Sequence, residues 1–280
     1  MSASALALGM ELPEYHARAE PPAEPAENRI HGDEVAKQLG FKAGLVPGVI
    51  VYGWMTRPVV EALGIEWLEH GEFSVRFAKP IYYGERAIVR ARVAQRTADS
   101  TAIEVSALNP DGETCATATM GLQLGVHATG PDPAAFPEAP LPAERPVVSR
   151  RLLERLEALG TPELRLDEAT ASDYLSKVNE SLPLYFGAGA PAHPFIYLDQ
   201  ANRALDRNVR ISPWIHVESH GQHLGLCDVG ERLSTRGKIA RLYERKGHEL
   251  VELNLLLVAD SRRPVASIRH IAIYQLRQAA

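Results

Sequence analysis

Three side chains that can hold water or exchange protons lie close together near the beginning of the chain. Asn28, His31 and Asp33 supply an amide, an imidazole and a carboxylate. An imidazole changes its charge near neutral pH, which suits it to proton transfer. Asn28 also has a structural interpretation, because asparagine favours the N-cap position of a following helical turn. The cluster therefore predicts either a catalytic loop or a capped turn.

The segment after this cluster predicts two helices that would position it. A short amphipathic turn over residues 34–39 ends at Gly40, which suits a helix C-cap. A second helix is expected to begin at Gly48, directly after a proline. It carries no charge as far as Met55, so it is expected to be surrounded by protein. Pro58 is expected to kink this helix or to begin another short one.

This segment resembles the beginning of a MaoC-like hot-dog domain, the family that includes (R)-specific enoyl-CoA hydratases and 3-hydroxyacyl-thioester dehydratases. In that family a D-x-N-P-[LI]-H-x-D motif leads through A-x-x-x-G-F to a glycine at the head of a buried central helix. The positions of this chain that match the pattern are Asn28, Ile30, His31, Asp33, Ala36, Gly40, Phe41 and Gly48. Two positions depart from it, since Arg29 replaces the proline and Ala26 stands where the catalytic aspartate is expected.

The resemblance implies reversible addition of water to a 2-enoyl thioester. His31 would be the acid or base, Asn28 would orient the water or the imidazole ring, and the Gly48 N–H would donate to the enolate oxygen. Asp33 is expected to cap or polarise the following turn rather than to replace the missing acid. Glu27 is a weaker substitute, because adjacent residues of an extended segment point in opposite directions.

Alternating apolar and polar residues predict an antiparallel sheet after the central helix. The period of two is clearest in ERAIVRARV at residues 85–93, and NPDG at residues 109–112 predicts a hairpin turn. A helix followed by a meander of strands over residues 72–124 fits the hot-dog fold. This is an α+β architecture in which a sheet wraps around a buried helix.

The second half of the chain repeats the plan of the first. The tripeptide GER occurs at residues 84–86 and again at 230–232, 146 residues later. The same offset aligns Gly48 with Pro194, where HPFIYLDQANRAL predicts a second central helix. Agreement of two separate features at one offset indicates an internal duplication.

We therefore predict a double hot-dog fold with three parts. These are an N-terminal domain at residues 1–125, a proline-rich linker at 126–147, and a C-terminal domain at 148–280. A helix over residues 149–159 is expected to open the second domain, with Gly160 as its C-cap.

The second half carries its own version of the motif. Tyr185 occupies the histidine position of the family pattern, and Glu180 stands five residues earlier, at the aspartate position. His193 lies beside the start of the second central helix. Glu180, Tyr185 and His193 are candidates to face the site. For Tyr185 the alternative is an amphipathic wall of the acyl pocket.

The composition and the spacing of a few residue types argue against several classes of protein. The net charge of −5 without a basic block argues against a nucleic-acid partner. No apolar run approaches the roughly 20 residues that span a bilayer. Cys115 and Cys227 are predicted to be buried free thiols, and the first residues lack the features of a signal peptide, so a cytoplasmic protein is expected. His216, His220 and His223 form no closed set with cysteine or aspartate, so no metal site is predicted.

The predicted function is a MaoC-like hydratase or dehydratase. Its partner would be an acyl-CoA or an acyl-carrier-protein thioester, and it would use no metal or redox cofactor. One alternative is a thioesterase on the same fold, with Asp33 or Glu180 activating water. The other is a non-catalytic acyl-thioester-binding protein whose site has decayed. The sequence leaves open whether two chains form a homodimer.

Overall fold

Ten antiparallel strands join into one sheet. The computed structural model describes residues 6–22 and 26–277 of the chain. Within these residues the strands are β1 (Tyr15–Arg18), β2 (Glu72–Phe77), β3 (Arg86–Arg96), β4 (Ser100–Leu108), β5 (Thr114–Gln123), β6 (Glu163–Arg165), β7 (Ile215–His223), β8 (Arg232–Arg245), β9 (His248–Ala259) and β10 (Arg263–Gln275). The apolar residues that alternate along β3 are buried, as their period of two predicts.

The order of the strands shows the duplication. The strands follow the order β1-β3-β4-β5-β2-β7-β10-β9-β8-β6. Strands β2 and β7 pair at the centre, and the strands of each half follow in a corresponding order towards its own edge. At the centre Val75 of β2 lies opposite Ser219 of β7. The first strand after each GER glycine begins at Arg86 and at Arg232, which preserves the predicted offset. The α+β double hot-dog prediction is confirmed. The division at residues 125 and 148 stays a prediction.

Six helices accompany the sheet within the described residues. They are α1 (Asp33–Gln38), α2 (Gly48–Leu63), α3 (Ile65–His70), α4 (Arg150–Leu153), α5 (Glu168–Lys177) and α6 (Pro194–Asp206). The two central helices, α2 and α6, begin at the two residues that the offset aligns. They pack against each other and against the sheet.

Helix α2 owes its place to its apolar sequence. Tyr52, Trp54 and Met55 are completely buried within the main core. Burial of each such large side chain stabilises the fold by about 1.5–3 kcal/mol. Pro58 lies inside α2, so no separate helix begins there. Proline removes one backbone hydrogen bond, and the packing of this helix against its neighbours compensates for the loss.

The predicted helix over residues 149–159 is wrong in its length. Ser149 does cap the helix by accepting the Leu152 N–H at 3.2 Å, but α4 ends at Leu153. The backbone N–H of Leu159 donates instead to the Gly237 carbonyl at 2.9 Å. Gly160 is therefore not a helix cap, and Leu159 forms a single bridge to β8 instead of ending the helix.

The proline-rich linker is anchored to the sheet. Phe136 is buried against Leu256 and Val258 of β9. Cys115 in β5 and Cys227 in the segment after β7 are both buried and free, as predicted. In the parts of the chain that the structure describes, no helix is long and apolar enough to cross a membrane.

Candidate active site between the two halves

His31 closes a single 3₁₀ turn, Arg29–His31, directly before α1. Its Nδ1 atom lies 2.8 Å from the backbone oxygen of Leu45. A carbonyl oxygen only accepts hydrogen bonds, so Nδ1 carries the proton and Nε2 of the neutral ring keeps its lone pair. Burial lowers the pKa of His31, and the bond to Leu45 offsets part of this lowering. The ring is therefore neutral at physiological pH and able to accept a proton at Nε2.

Asn28 joins this loop to the second half of the chain. Its amide nitrogen donates to the Trp214 carbonyl at 2.9 Å, and its amide oxygen accepts the Trp214 N–H at 3.2 Å. The same amide nitrogen lies 3.4 Å from His31 Nε2. Asn28 makes no side-chain cap hydrogen bond to the 3₁₀ turn. Its amide therefore orients the imidazole and fixes the distance between the two halves.

Gly48 lies at the head of α2, where the first N–H groups have no acceptor within the helix. A Cβ atom at this position would lie only 3.3 Å from the ring of Phe77. A side chain at this position would therefore press on the Phe77 ring, which would have to move by a few tenths of an ångström. The helix dipole adds partial positive charge at this point.

These three residues line one cleft. Asn28, His31 and Gly48 face a cavity of about 250 Å³ whose other wall comes from the second half, through Asn202, Trp214 and His216. Most of the remaining lining is apolar, including Val51, Phe77, Ile81, Ala116, Val217 and Ile273. Among the described residues, no aspartate or glutamate lines this cleft. It is suited to an acyl chain beside the His31 imidazole and a helix-end amide.

The carboxylates near the motif lie elsewhere. Asp33 accepts the Gly44 N–H at 2.8 Å and the Lys37 ammonium at 3.2 Å, and its side chain is largely exposed. The bond from Gly44 and the pairing with Lys37 lower the pKa of Asp33. Glu27 forms an ion pair with Arg145. Both carboxylates lie outside the cleft lining, so Asp33 fixes the loop that leads to α2.

The second-half candidates form a separate cluster. His193 Nδ1 accepts the Phe195 N–H at 3.1 Å, so Nε2 carries the proton and faces the Glu180 carboxylate at 3.3 Å. The other oxygen of Glu180 accepts from the Arg57 guanidinium at 2.7 Å. The Tyr185 ring packs on His193 with centroids 4.7 Å apart. All these groups are outside the lining of the cleft.

This cluster is the counterpart of the His31 loop. Tyr185 closes a 3₁₀ turn, Pro183–Tyr185, as His31 closes its own. Tyr185, His193 and the Glu180 side chain are each at most 3% exposed. Burial lowers the pKa of His193 and raises that of Tyr185. The side chains of the second-half loop are therefore part of the buried core. Tyr185 does not line the cleft that contains His31.

Two polar residues that the second half contributes to the cleft were not predicted from the sequence as site residues. Asn202 lies on α6, and His216 lies on β7 with its imidazole buried. His220 of the same strand points to the other face and contacts Glu218, whereas His223 is buried and contacts the Trp67 carbonyl. The internal offset aligns Asn202 with Thr56 of α2, but only the packed helices reveal which residue faces the cleft.

The architecture defines a class of protein, the double hot-dog proteins. A MaoC domain protein from Chloroflexus aurantiacus, assigned as a dehydratase, superposes with a TM-score of 0.70 at 12% sequence identity, covering 99% of this chain and 97% of that one. A Mycobacterium tuberculosis protein described as a double hotdog fold gives 0.62 at 13% identity over 97% of each chain. A Lactobacillus plantarum protein assigned as an oleoyl thioesterase gives 0.58 at 10% identity, covering 96% of this chain and 98% of that one.

These similarities concern the fold. No family model matches the chain, and no curated protein matches it in sequence. The MaoC-like resemblance of the motif is confirmed at the level of the fold, over nearly the whole chain. Structures of this fold are assigned to dehydration and to thioester hydrolysis alike, so the reaction must be argued from the cleft.

Proposed function

We propose that this protein binds an acyl thioester between its two halves and catalyses reversible hydration of a 2-enoyl thioester. The observation that carries the proposal is the neutral His31 imidazole. Its Nδ1–H is held by Leu45, so its Nε2 keeps the lone pair, whose one contact in the described residues is the long, 3.4 Å approach of the Asn28 amide. His31 and Gly48 line the same cleft. The thioester would arrive on CoA or on an acyl carrier protein.

One imidazole can perform both proton transfers of the dehydration. His31 Nε2 takes the α-proton of a 3-hydroxyacyl thioester, and the electron pair of that C–H bond delocalises onto the thioester oxygen. The Gly48 N–H donates to this enolate oxygen. The imidazolium then gives the same proton to the β-hydroxyl as the C–O bond breaks, and water leaves. Hydration runs through these steps in reverse, and both transfers occur on the face of the substrate next to His31.

The composition of the cleft favours this single-base scheme over one that uses a carboxylate. Ala26 replaces the aspartate of the family motif, and Asp33 and Glu180 both lie outside the cleft lining. A thioesterase that activates water with either of these carboxylates does not fit the arrangement. The missing acid also supports a second candidate, an acyl-thioester-binding protein without turnover. Loss of one acid–base partner typically lowers a rate by about a hundred- to ten-thousand-fold.

The test is a hydration assay with enoyl-CoA thioesters of short, medium and long chains. Loss of the conjugated absorbance would be followed for the natural protein, for His31→Gln and for a control, His220→Gln. His220 lies on β7 but outside the cleft lining. We expect turnover that falls at least a hundred-fold in His31→Gln and is unchanged in the control. Binding of CoA esters without turnover of any chain length would favour the binding protein, and release of free thiol from saturated acyl-CoA would favour the thioesterase.

A further inference from the structure

Two buried polar atoms on residues that line the cleft have no hydrogen-bond partner within the described part of the chain. They are Nδ1 of His216 and Oδ1 of Asn202, both contributed by the second half of the chain. A buried donor or acceptor that is left unpaired destabilises the fold, so such atoms on cleft-lining residues point to a polar group that they bind. Neither atom has a role in the single-base scheme.

His216 is held firmly in place. Its Nε2 atom lies 2.8 Å from the Ser219 hydroxyl, which lies 2.8 Å from Nδ1 of His270. The hydroxyl has one proton, so it donates to one imidazole and accepts from the other. Burial, followed by the neighbouring His270, lowers the pKa of His216, and the Glu218 backbone partly offsets this. All three side chains are buried, so His216 presents a neutral ring of fixed orientation.

The position of His216 is close to the proposed reaction centre. The rings of Phe77 and His216 have centroids 4.7 Å apart. The same Phe77 ring lies 3.3 Å from the point where a Cβ atom of Gly48 would be. His216 is therefore separated from the head of α2 by a single aromatic ring. Asn202 belongs to α6, the helix that packs against α2.

We infer that His216 and Asn202 bind the β-hydroxyl of the acyl group and thereby select 3-hydroxyacyl thioesters over saturated ones. An amide oxygen only accepts, so its partner must be a donor, which a thioester carbonyl is not. A hydroxyl can donate its proton to the Asn202 oxygen and accept from His216 Nδ1–H, which is the tautomer in which the Ser219 hydroxyl donates to Nε2. This assignment rests on the proposed function for the identity of the ligand, but its test measures binding alone.

The experiment compares the affinities of two CoA esters of equal chain length, one 3-hydroxylated and one saturated, by calorimetry. All measurements use the His31→Gln background, so that dehydration does not consume the ligand. His216→Phe and Asn202→Leu each remove one polar contact. The control is His223→Phe, a buried histidine on the same strand whose side chain lies outside the cleft lining.

We expect the background protein to bind the hydroxylated ester about ten-fold more tightly than the saturated one. Each cleft variant should bring this ratio towards one while affinity for the saturated ester changes little, and His223→Phe should keep the ratio. Asn202→Leu serves as the second test if His216→Phe does not fold. Equal affinities in the background protein, as expected if the orphaned atoms hold only water, would overturn the inference. A ratio that both cleft variants preserve would also overturn it.

The outcome is separable from that of the proposed function. A ratio that depends on His216, in a protein that hydrates no enoyl thioester, would refute the hydratase and leave this inference standing. Turnover that depends on His31, in a protein that binds hydroxylated and saturated esters equally well, would support the hydratase and refute this inference. No affinity for any CoA ester would refute both.

Discussion

Replacing Glu180 by glutamine should destabilise the protein without weakening ligand binding. The Oε1 atom of this buried carboxylate accepts from Arg57 at 2.7 Å and from the backbone N–H groups of Ser181 and Leu182 at 2.6 and 2.7 Å. Its Oε2 atom faces the protonated Nε2 of His193 at 3.3 Å. A glutamine has one oxygen and one NH₂ group. Its NH₂ group would therefore point at a donor, either the Nε2–H of His193 or the cluster of Arg57 and the two backbone N–H groups.

The size of the effect follows from the burial of the pair. Breaking a buried ion pair by removing one charge costs about 3–5 kcal/mol. We expect about 3 kcal/mol, at the lower end of that range, because Arg57 keeps its bond to Glu61 at 2.8 Å. Urea unfolding followed by tryptophan fluorescence measures this change. The matched control is Glu104→Gln, whose exposed pair with Arg92 should contribute less than about 1 kcal/mol.

The pH dependence of the same pair has a defined sign. Burial raises the pKa of Glu180, but the His193 imidazole at 3.3 Å, the hydrogen bond from Leu182 and the charge of Arg57 outweigh it and place the pKa below its ordinary value of 4.5. The stabilisation is therefore present above that value and lost as the pH falls through the lowered pKa. A loss of stability no larger than in Glu104→Gln would refute the structural role of Glu180. Weakened CoA-ester binding with normal stability would place Glu180 in the site.

Three further predictions concern the cleft and the linker. Because burial lowers the pKa of His31, its base form persists to lower pH than that of an ordinary histidine, so kcat/KM for hydration should fall with a midpoint below pH 6.5. Gly48→Ala places a methyl group against Phe77, and kcat/KM should fall about ten- to a hundred-fold, with little change in the urea midpoint. Phe136→Ala should lower the free energy of unfolding by about 3 kcal/mol while leaving the hydration rate unchanged, because Phe136 fills an apolar site between the linker and β9.

The sequence predicted the features that depend on local periodicity. The period of two located the long strands, and the charge-free run after Gly48 located the buried helix. The helix expected at residues 149–159 failed because the Gly237 carbonyl, far away in sequence, binds the Leu159 N–H. Helix α5 was not predicted, although Asp167 accepts the Thr170 N–H at its start, as an N-cap does.

The candidate site also contains residues that a local motif predicts and residues that only the folded chain brings together. Asn28, His31 and Gly48 belong to one continuous segment, so a local motif could bring them together. His216 and Ser219 are three residues apart, an odd spacing that puts residues of a regular strand on opposite faces. They share a face because a bulge in β7 shifts the register against β10, with Ile271 opposite Glu218 and Ala272 opposite His216. No pattern in the sequence marks that bulge.

Glu180 lies outside the cleft lining, although the motif makes it a candidate site residue. It stands at the aspartate position of the motif, which predicts a site residue. The structure instead pairs it with Arg57, which is 123 residues earlier in the chain. A motif position alone does not reveal such a partner, and the partner decides whether the carboxylate can meet a ligand.

The most direct test of the account is exchange of α-protons in deuterium oxide. A saturated acyl-CoA cannot be dehydrated, so incubation with the protein isolates the first step, removal of the α-proton by His31 Nε2. We predict that NMR will show one of the two α-protons replaced by deuterium in the presence of the natural protein, and no such exchange with His31→Gln. Exchange at the same rate in both proteins, or none with the natural protein while the ester is bound, would contradict the role of His31 as the base.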